Sequence, residues 1–193
     1  SIQFPINTYN ENKRFKILYV SIINYYKHQW NVVKAIKELN KKGYPIELEL
    51  VGPSHPNALK LLKNELKGSE DFIYYKGSIE SNNIKEKYHN SDLFIFASTC
   101  ENMPNILIEA MASGLPIISS NYGPMPEILN KAGVYFDPLD VNDLVFNLEK
   151  LILDPVVRKK NADLGFEIAK KFTWKKTSQE TFHFIKEIYN KEI

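Results

Sequence analysis

Two glutamates separated by seven residues mark the part of the sequence best suited to bind a ligand. Glu101 and Glu109 enclose a short loop with Pro104, followed by a run with helical spacing. Proline is favoured at the first position of a helix because it has no N–H group to leave unpaired, so we predict a helix that starts near Pro104. The first amides of a helix have no acceptor within it and attract phosphate groups. We therefore consider a phosphate site at the amides of Asn105 and Ile106, although water satisfies most helix N-termini.

Glu109 is predicted to lie on a different face of this helix from its apolar residues. The predicted buried face consists of Leu107, Ile108, Met111 and Ala112. A carboxylate one to two turns from the phosphate end can accept two neighbouring hydroxyl groups, as in a ribose. Glu101 precedes the turn, where it would meet whatever the phosphate carries. Taken singly, either glutamate is better explained without a ligand: Glu109 as a solvated helical residue, and Glu101 as a charge that the helix dipole stabilises by about 0.3 to 1 kcal/mol.

The elements that must position these residues alternate between strands and helices. Short β-branched or aromatic runs predict strands at 15–22, 46–52, 72–77, 93–98, 116–120 and 133–136. Segments with helical periodicity lie between them at 30–43, 57–68, 82–91 and 104–114, and three of these close on a glycine. The order predicts an α/β fold, a doubly wound, Rossmann-like parallel sheet, in which ligands bind beyond the carboxyl ends of the strands.

The last third of the chain is predicted to contain helices without strands. They follow Phe136 and span 137–155, 156–172 and 173–193, with Asp140 and Thr173 as N-caps. The last helix carries an apolar face, and Trp174 is expected to be a core anchor.

The sequence also suggests how the chain is divided. Residues 1–13 show no periodicity and are interpreted as a linker or tail. We therefore predict a Rossmann-like domain over 14–172 and a C-terminal helix over 173–193.

The amino-acid composition indicates an ordinary soluble domain. The chain has 193 residues, of which 44% are hydrophobic and 25% charged, as in ordinary soluble domains. The 25 basic and 23 acidic residues are interspersed and leave a net charge of +2, which makes no case for a nucleic-acid partner. No apolar N-terminal segment with a cleavage site is present, and the apolar runs are too short to span a membrane, so we expect a cytoplasmic protein.

Cysteine and histidine offer little chemistry of their own. Cys100 is the single cysteine, which excludes an internal disulfide. We interpret it as a small packing residue, since no partnered base activates it as a nucleophile. His55, His89 and His183 show no ligand spacing, so no bound metal is expected.

The segment ENMPNILIEAMASGLPIISS, residues 101–120, resembles a known signature. It is similar to the E-x7-E motif of the retaining glycosyltransferases of family 4, the group 1 glycosyltransferases, in its usual frame SxxEGxPxxLLEAMAxGxPVI. The similarity covers nearly the whole chain and includes GSIE at 77–80 and SDLFIFAS at 91–98. These enzymes have a GT-B fold of two Rossmann-like domains, with the nucleotide-sugar donor bound on the C-terminal domain and the acceptor mainly on the N-terminal one.

The resemblance implies that this chain is the donor-binding, C-terminal half of such an enzyme. It implies no metal or other cofactor, and a nucleoside diphosphate sugar as donor substrate. The acceptor glycan or lipid-linked sugar, and any peripheral association with the inner face of a membrane, would involve the N-terminal domain. The last helix is expected to pack on that domain.

The resemblance also assigns roles to the two acidic residues and the phosphate site. Glu109 would bind the ribose hydroxyls, and Glu101 would lie beside the hydroxyls of the transferred sugar. The amides of Met103, Asn105 and Ile106 are placed near the diphosphate.

Two further parts of the donor site come from other loops. Backbone groups of Ser78 and Ile79 would meet the nucleobase. Lys27 occupies the place of the family lysine that pairs with the diphosphate, where an ammonium can stabilise charge on the leaving phosphate. Without the resemblance, Lys27 would be interpreted as an ordinary surface lysine.

Two positions depart from the family pattern. The family commonly has Gly-Arg after the first strand, with the arginine as a second phosphate cation, but here Ser21 and Ile22 stand there. His28 or the absent domain are possible compensations. Asn102 replaces the usual glycine and is expected to adopt its left-handed geometry, which asparagine tolerates.

The function expected from the resemblance is transfer of a sugar, with retention at the anomeric carbon, in the synthesis of surface polysaccharides or glycoconjugates. Two alternatives stay open. One is a nucleotide-sugar 2-epimerase of the GT-B fold, and the other is a non-catalytic nucleotide- or partner-binding module, which the substitution at Ile22 keeps open. The identities of the base, the sugar and the acceptor do not follow from the sequence.

Overall fold

The computed structural model describes residues 9–10 and 12–191, so most of the predicted linker at 1–13 lies outside the described residues. The strands are β1 Phe15–Val20, β2 Ile46–Val51, β3 Ile73–Tyr75, β4 Leu93–Phe96, β5 Ile117–Ser120 and β6 Gly133–Phe136. The helices are α1 Gln29–Lys41, α2 Pro56–Leu66, α3 Ser81–His89, α4 Asn105–Ala112, α5 Met125–Leu129, α6 Val141–Leu153, α7 Pro155–Ala169 and α8 Trp174–Lys191. Two 3-10 helices span Tyr25–Lys27 and Asn130–Ala132.

The six strands form one parallel sheet in the order β3-β2-β1-β4-β5-β6. The predicted doubly wound α/β fold is confirmed. The chain runs outward from β1 to β3, then returns to the centre and continues from β4 to β6. The strand order therefore reverses between β1 and β4, and the loops that leave these two strands border the position where doubly wound sheets bind ligands.

The central strands of the sheet lie in the hydrophobic core. Side chains of β1, β2, β4 and β5 such as Leu18, Leu48, Phe94 and Ile118 are fully buried. Helices lie on both faces of the sheet, so β4 is apolar and buried throughout, whereas β2 alternates buried apolar residues with the half-buried Glu47 and Glu49. Their short β-branched or aromatic runs are what made the strands recognisable in the sequence.

Several element boundaries differ from those predicted. The first, third and fourth strands end two residues earlier than expected, because their last residues turn into the loops at the carboxyl edge. Helix α5 was not predicted, since MPEIL is too short to show helical periodicity. The expectation that three helices close on glycine is confirmed, because Gly43, Gly68 and Gly114 all have positive φ after α1, α2 and α4.

The C-terminal helices begin at the predicted caps. The Asp140 carboxylate accepts hydrogen bonds from the amides of Asn142 and Asp143 at 2.8 and 3.3 Å. The Thr173 hydroxyl accepts one from the amide of Lys176 at 3.2 Å. Both predicted N-caps are therefore confirmed.

Helix α8 does not bury Trp174, which was expected to lie in the core. The Trp174 side chain is 81% exposed, so the prediction of a core anchor is wrong for this chain. No residue of α8 is buried within the part of the chain that the structure describes. No helix in that part is both long and apolar enough to cross a membrane.

Candidate functional site

The loops that follow β1 and β4 are joined by hydrogen bonds at the point where the strand order reverses. The amide of Thr99 donates to the carbonyl of Tyr26 at 2.8 Å. The buried hydroxyl of Tyr19 donates to the carbonyl of Lys27 at 2.6 Å and accepts from the amide of Ala97 at 3.2 Å. These bonds fix the two loops against each other and place their side chains in one region.

Lys27 and Glu101, which are 74 residues apart in sequence, form an ion pair in this region. Lys27 ends the 3-10 helix Tyr25–Lys27, whose first amide is capped by the side chain of Asn24. The side chains of Lys27 and Glu101 are only 6% and 13% exposed, and the Lys27 ammonium lies 4.8 Å from the ring centroid of Phe96. Each charge is therefore largely removed from water and compensated by the other.

The N-terminus of α4 opens at the same edge of the sheet. The helix begins at Asn105, one residue after the predicted start, and Pro104 precedes it without a side-chain cap. The amides of Met103, Asn105 and Ile106 have no acceptor among the described residues. Helices α1, α2, α3 and α5 also begin without a side-chain cap, whereas α6, α7 and α8 are capped by Asp140, Asp154 and Thr173. The uncapped end of α4 can therefore accept an anionic group.

Glu109 lies on the second turn of α4 and is exposed, as predicted. Its carboxylate accepts a hydrogen bond from the hydroxyl of Tyr88, on α3, at 3.2 Å. The buried face of α4 consists of Leu107, Ala110 and Met111.

The predicted buried face of α4 was only partly correct. Ala112 is exposed, so the prediction that it is buried is wrong, and Ile108 is half-buried. The helix is rotated so that Ala110 faces the core in place of Ala112.

The predicted base-binding residues lie in the loop that leaves β3. Ser78 is exposed and Ile79 half-buried. The preceding Gly77 has a φ of +68°, and its carbonyl accepts a hydrogen bond from the amide of Gly52 at 2.9 Å. The loops after β2 and β3 are thereby joined at the carboxyl edge, which is the edge that also carries Lys27 and Glu101.

A cleft of about 550 Å³ opens beside the N-terminal half of α4. Met103, Asn105 and Glu109 line it on one side, and Phe172 and Trp174 line it on the other. Three of the residues predicted to bind the donor therefore share one accessible space.

The two departures from the family pattern have distinct structural outcomes. Ser21 is buried, and its hydroxyl accepts a hydrogen bond from the side-chain amide of Gln29 at 2.8 Å, so it orders the loop. Ile22 is half-buried and supplies no charge. Asn102 is exposed but does not have positive φ, so the expectation of left-handed geometry there is wrong.

The left-handed residue of this site is His28, which has a φ of +49°. Its imidazole Nε2 is hydrogen-bonded to the hydroxyl of Thr99 at 3.0 Å. Burial lowers the pKa of His28, and the negative charge of Asp137 opposes this shift. Strained backbone of this kind is concentrated at functional sites. From the sequence, His28 was considered only as a cation that replaces the missing arginine, because no sequence pattern indicates its left-handed backbone.

Cys100 is exposed, so its interpretation as a packing residue is wrong. Across residues 9–10 and 12–191, the His, Cys, Asp and Glu side chains form no group of three or more that could hold a metal ion.

Comparison with known proteins identifies the family. The sequence model of the family described as "Glycosyl transferases group 1" matches residues 3–171. Protein CapJ of Staphylococcus aureus is 31% identical over 137 residues, which cover 70% of this chain and 34% of CapJ. The O-antigen chain mannosyltransferase B of Escherichia coli is 27% identical over 117 residues, covering 61% of this chain and 31% of the relative. The chain therefore spans about a third of the length of these curated relatives.

Solved structures show the same fold. The C-terminal domain of a glycosyl transferase group 1 family protein (LpcC) from Francisella tularensis has a TM-score of 0.73 and 26% identity, covering 81% of this chain and 85% of that domain. Anabaena HepE, solved in complex with UDP and glucose, has a TM-score of 0.81 and 19% identity, covering 91% of this chain but 49% of HepE. The chain thus corresponds to a C-terminal Rossmann-like domain of the GT-B fold, and it belongs to the group 1 glycosyltransferases.

Proposed function

We propose that this chain is the donor-binding half of a retaining glycosyltransferase that takes a sugar from a nucleoside diphosphate sugar. The observation that carries the proposal is the meeting of Lys27 and Glu101 beside the uncapped N-terminus of α4. The buried cation and the unpaired amides suit the diphosphate of one donor. Glu101 suits its reacting sugar, and the exposed carboxylate of Glu109 on the same sheet edge suits its ribose. The solved relative with UDP and glucose supports this class of ligand.

In the proposed complex, each residue has the role that its position allows. The amides of Met103, Asn105 and Ile106 and the ammonium of Lys27 bind the diphosphate, and Glu109 binds the ribose. Glu101 orients the transferred sugar, and Asn102, which follows it at the turn, also contacts the donor. The backbone of Ser78 and Ile79 contacts the base. Because Glu101 neutralises Lys27 in this structure, donor binding must exchange part of that ion pair for contacts to the diphosphate.

The proposed reaction retains the configuration of the anomeric carbon. The bond between that carbon and the leaving diphosphate oxygen breaks, and the acceptor oxygen bonds to the same face of the sugar. The departing phosphate takes the proton of the acceptor hydroxyl, so the protein contributes positioning and stabilisation of the developing negative charge. A metal is not needed for this scheme.

The acceptor and the cellular setting are further parts of the proposal. We propose a carbohydrate or lipid-linked acceptor in surface polysaccharide or glycoconjugate synthesis, which the similarity to an O-antigen chain mannosyltransferase supports. Because the acceptor is expected to bind the N-terminal domain, residues 1–193 alone should bind nucleotide weakly and turn over negligibly. A cytoplasmic location stays a prediction.

The two alternative functions predict different products. The non-catalytic module stays an alternative because Ile22 replaces one phosphate cation of the family pattern. It predicts nucleotide binding without transfer in the protein that contains both domains. A 2-epimerase predicts an epimerised sugar nucleotide instead of a glycosylated acceptor. Product analysis with the two-domain protein separates all three.

The proposal is tested by the thermal stability of the chain with UDP, GDP, ADP and TDP sugars. A ligand that binds only the folded state raises stability with the logarithm of its saturation. We expect one base to raise the melting temperature of the wild type, and Lys27→Met to weaken its binding about 10- to 150-fold, as for a lost charge-assisted hydrogen bond of about 1.5 to 3 kcal/mol. Lys34→Met, at an exposed position on α1, is the matched control. Equal effects of the two substitutions, or no response to any nucleotide, would contradict the proposal.

A further inference from the structure

Tyr88 is a buried residue that contacts the proposed donor site. It lies on the last turn of α3, is 2% exposed, and packs against Phe94 with ring centroids 5.8 Å apart. Its hydroxyl donates to Oε2 of Glu109 at 3.2 Å. A core aromatic residue thus presents its single polar atom to an exposed carboxylate on a neighbouring helix.

We propose that Tyr88 is a positioning residue for ribose recognition, because its hydroxyl holds the Glu109 carboxylate in the orientation that receives the two ribose hydroxyls. This inference rests on the proposed function, in which Glu109 binds the ribose. Tyr88 itself does not touch the ligand.

The carboxylate keeps enough capacity for a ribose while Tyr88 holds it. A carboxylate has about four lone-pair positions on its two oxygens. Tyr88 uses one of those on Oε2, and no other donor to this carboxylate is present among the described residues. Oε1 and the remaining position on Oε2 can therefore accept two hydroxyl groups.

Holding Glu109 in place matters because its side chain is exposed. An unrestrained glutamate loses rotamer entropy when it is ordered. A partner that orders the side chain before the ligand arrives removes part of that cost from binding. Tyr88 suits this role since its own ring is fixed by the core.

The Tyr88 hydroxyl acts as the donor in its hydrogen bond with Glu109. Burial raises the pKa of its hydroxyl well above the usual value, and the charge of Glu109 and the hydrogen bond to it raise this pKa further. The hydroxyl therefore keeps its proton in the physiological range and remains able to donate to Glu109.

The test compares Tyr88→Phe with Tyr44→Phe. Both substitutions remove only a hydroxyl that donates to a glutamate, since the Tyr44 hydroxyl donates to Oε1 of Glu149 at 2.8 Å, and neither Tyr44 nor Glu149 belongs to the proposed site. Calorimetry measures binding of the nucleoside diphosphate preferred by the wild type and of its 2′,3′-dideoxy form. We expect Tyr88→Phe to weaken binding of the ribonucleotide about three- to tenfold, because the ligand must then order the Glu109 side chain itself. The dideoxy form should bind both proteins within a factor of two, and Tyr44→Phe should bind like the wild type.

The ribose dependence separates positioning from a structural role. A general loss of packing would weaken both nucleotides equally, so an equal loss overturns the inference, as does unchanged affinity in Tyr88→Phe. In a Glu109→Gln background, Tyr88→Phe should have a clearly smaller effect than in the wild type, and additive effects would contradict the coupling. If the wild type binds no nucleotide, the proposed function fails and the inference fails with it.

Discussion

The charges of Lys27 and Glu101 compensate each other in this structure. This ion pair determines how the removal of either charge should affect nucleotide binding. Glu101 pairs with Lys27, the cation proposed to bind the donor diphosphate, so under the proposal the carboxylate competes with the ligand for Lys27. Glu109, on the other hand, has no cationic partner among the described residues. The two glutamates of the same motif therefore have opposite expected effects on nucleotide binding.

Glu109→Gln should weaken nucleoside diphosphate binding, whereas Glu101→Gln should leave it unchanged or strengthen it. The first change removes a charge-assisted hydrogen bond to the ribose, at a cost of roughly 1.5 to 3 kcal/mol. The second releases Lys27 and should damage transfer in the two-domain enzyme instead. Calorimetry on both variants measures the difference. Equal losses, or no loss in either, would mean that the spacing reflects family descent and a solvated helix face.

His28 makes part of the stability of the fold depend on pH. Burial lowers its pKa in the folded chain, so the unfolded chain takes up a proton first as the pH falls. The free energy of unfolding should therefore be highest above the ordinary pKa of about 6.5 and decrease below it.

His28→Asn should reduce this pH dependence, because asparagine tolerates the left-handed backbone but does not titrate. Denaturant unfolding at pH 7.5 and 5.5 checks the prediction, with His55→Asn, at an exposed position, as the control. The same decrease in wild type and His28→Asn would show that other groups cause it.

The motif residues could be predicted from the sequence because type and spacing identify them. Glu101, Glu109 and the residues between them form a local pattern, and Lys27 follows from the resemblance. The contacts of Tyr88 and His28 could not be predicted, since their partners lie 21 and 71 residues away and meet only in the folded chain.

At the scale of elements, the site depends on the close approach of the loops that leave β1, β2 and β3. Gly52 has a φ of +141°, and a β-carbon there would lie 2.1 Å from the carbonyl oxygen of Ser21. No L-residue with a side chain fits this position without moving the loop that carries Lys27.

Gly52→Ala should destabilise the chain by at least about 2 kcal/mol, because it adds a backbone clash to an unfavourable φ. Gly68→Ala is the control, since Gly68 has a φ of +75° but open space around its α-carbon. Its cost should be about 1 to 2 kcal/mol, from the left-handed backbone alone. Denaturant titrations of both variants give the comparison, and equal costs would contradict the clash.

The strands and long helices could be predicted because their apolar periods are strong, and the caps Asp140 and Thr173 because their chemistry is local. Helix α5 and the 3-10 helix Tyr25–Lys27 could not, since segments of five and three residues show no period. The rotation of α4, which buries Ala110 rather than Ala112, depends on packing against its neighbours.

At the scale of the whole molecule, α8 presents an apolar face that nothing in the described chain covers. Trp174, Phe182, Ile185 and Tyr189 are 81%, 72%, 55% and 66% exposed. The last three are spaced three and four residues apart and so share one side of the helix. Apolar surface of this kind marks an interaction site, and we predict that it packs on the N-terminal domain.

The chain should therefore bind an apolar dye through α8. A double substitution, Phe182→Ser with Ile185→Ser, should remove most of the dye fluorescence, while Phe146→Ser, at an exposed aromatic residue of α6, should change it little. Solution scattering should show whether the chain also associates through this face. A monomer that binds no dye would contradict the prediction.

The central claim is that a nucleoside diphosphate binds where the strand order reverses, at the N-terminus of α4. Nitrogen-15 correlation spectra of the 22.4 kDa chain, titrated with the preferred nucleoside diphosphate, test it most directly. We predict that the largest shifts occur at the amides of Met103, Asn105, Ile106, Ser78 and Ile79, with little change in α6 and α7. Shifts confined to other parts of the chain, or no shifts at saturating nucleotide, would contradict the account.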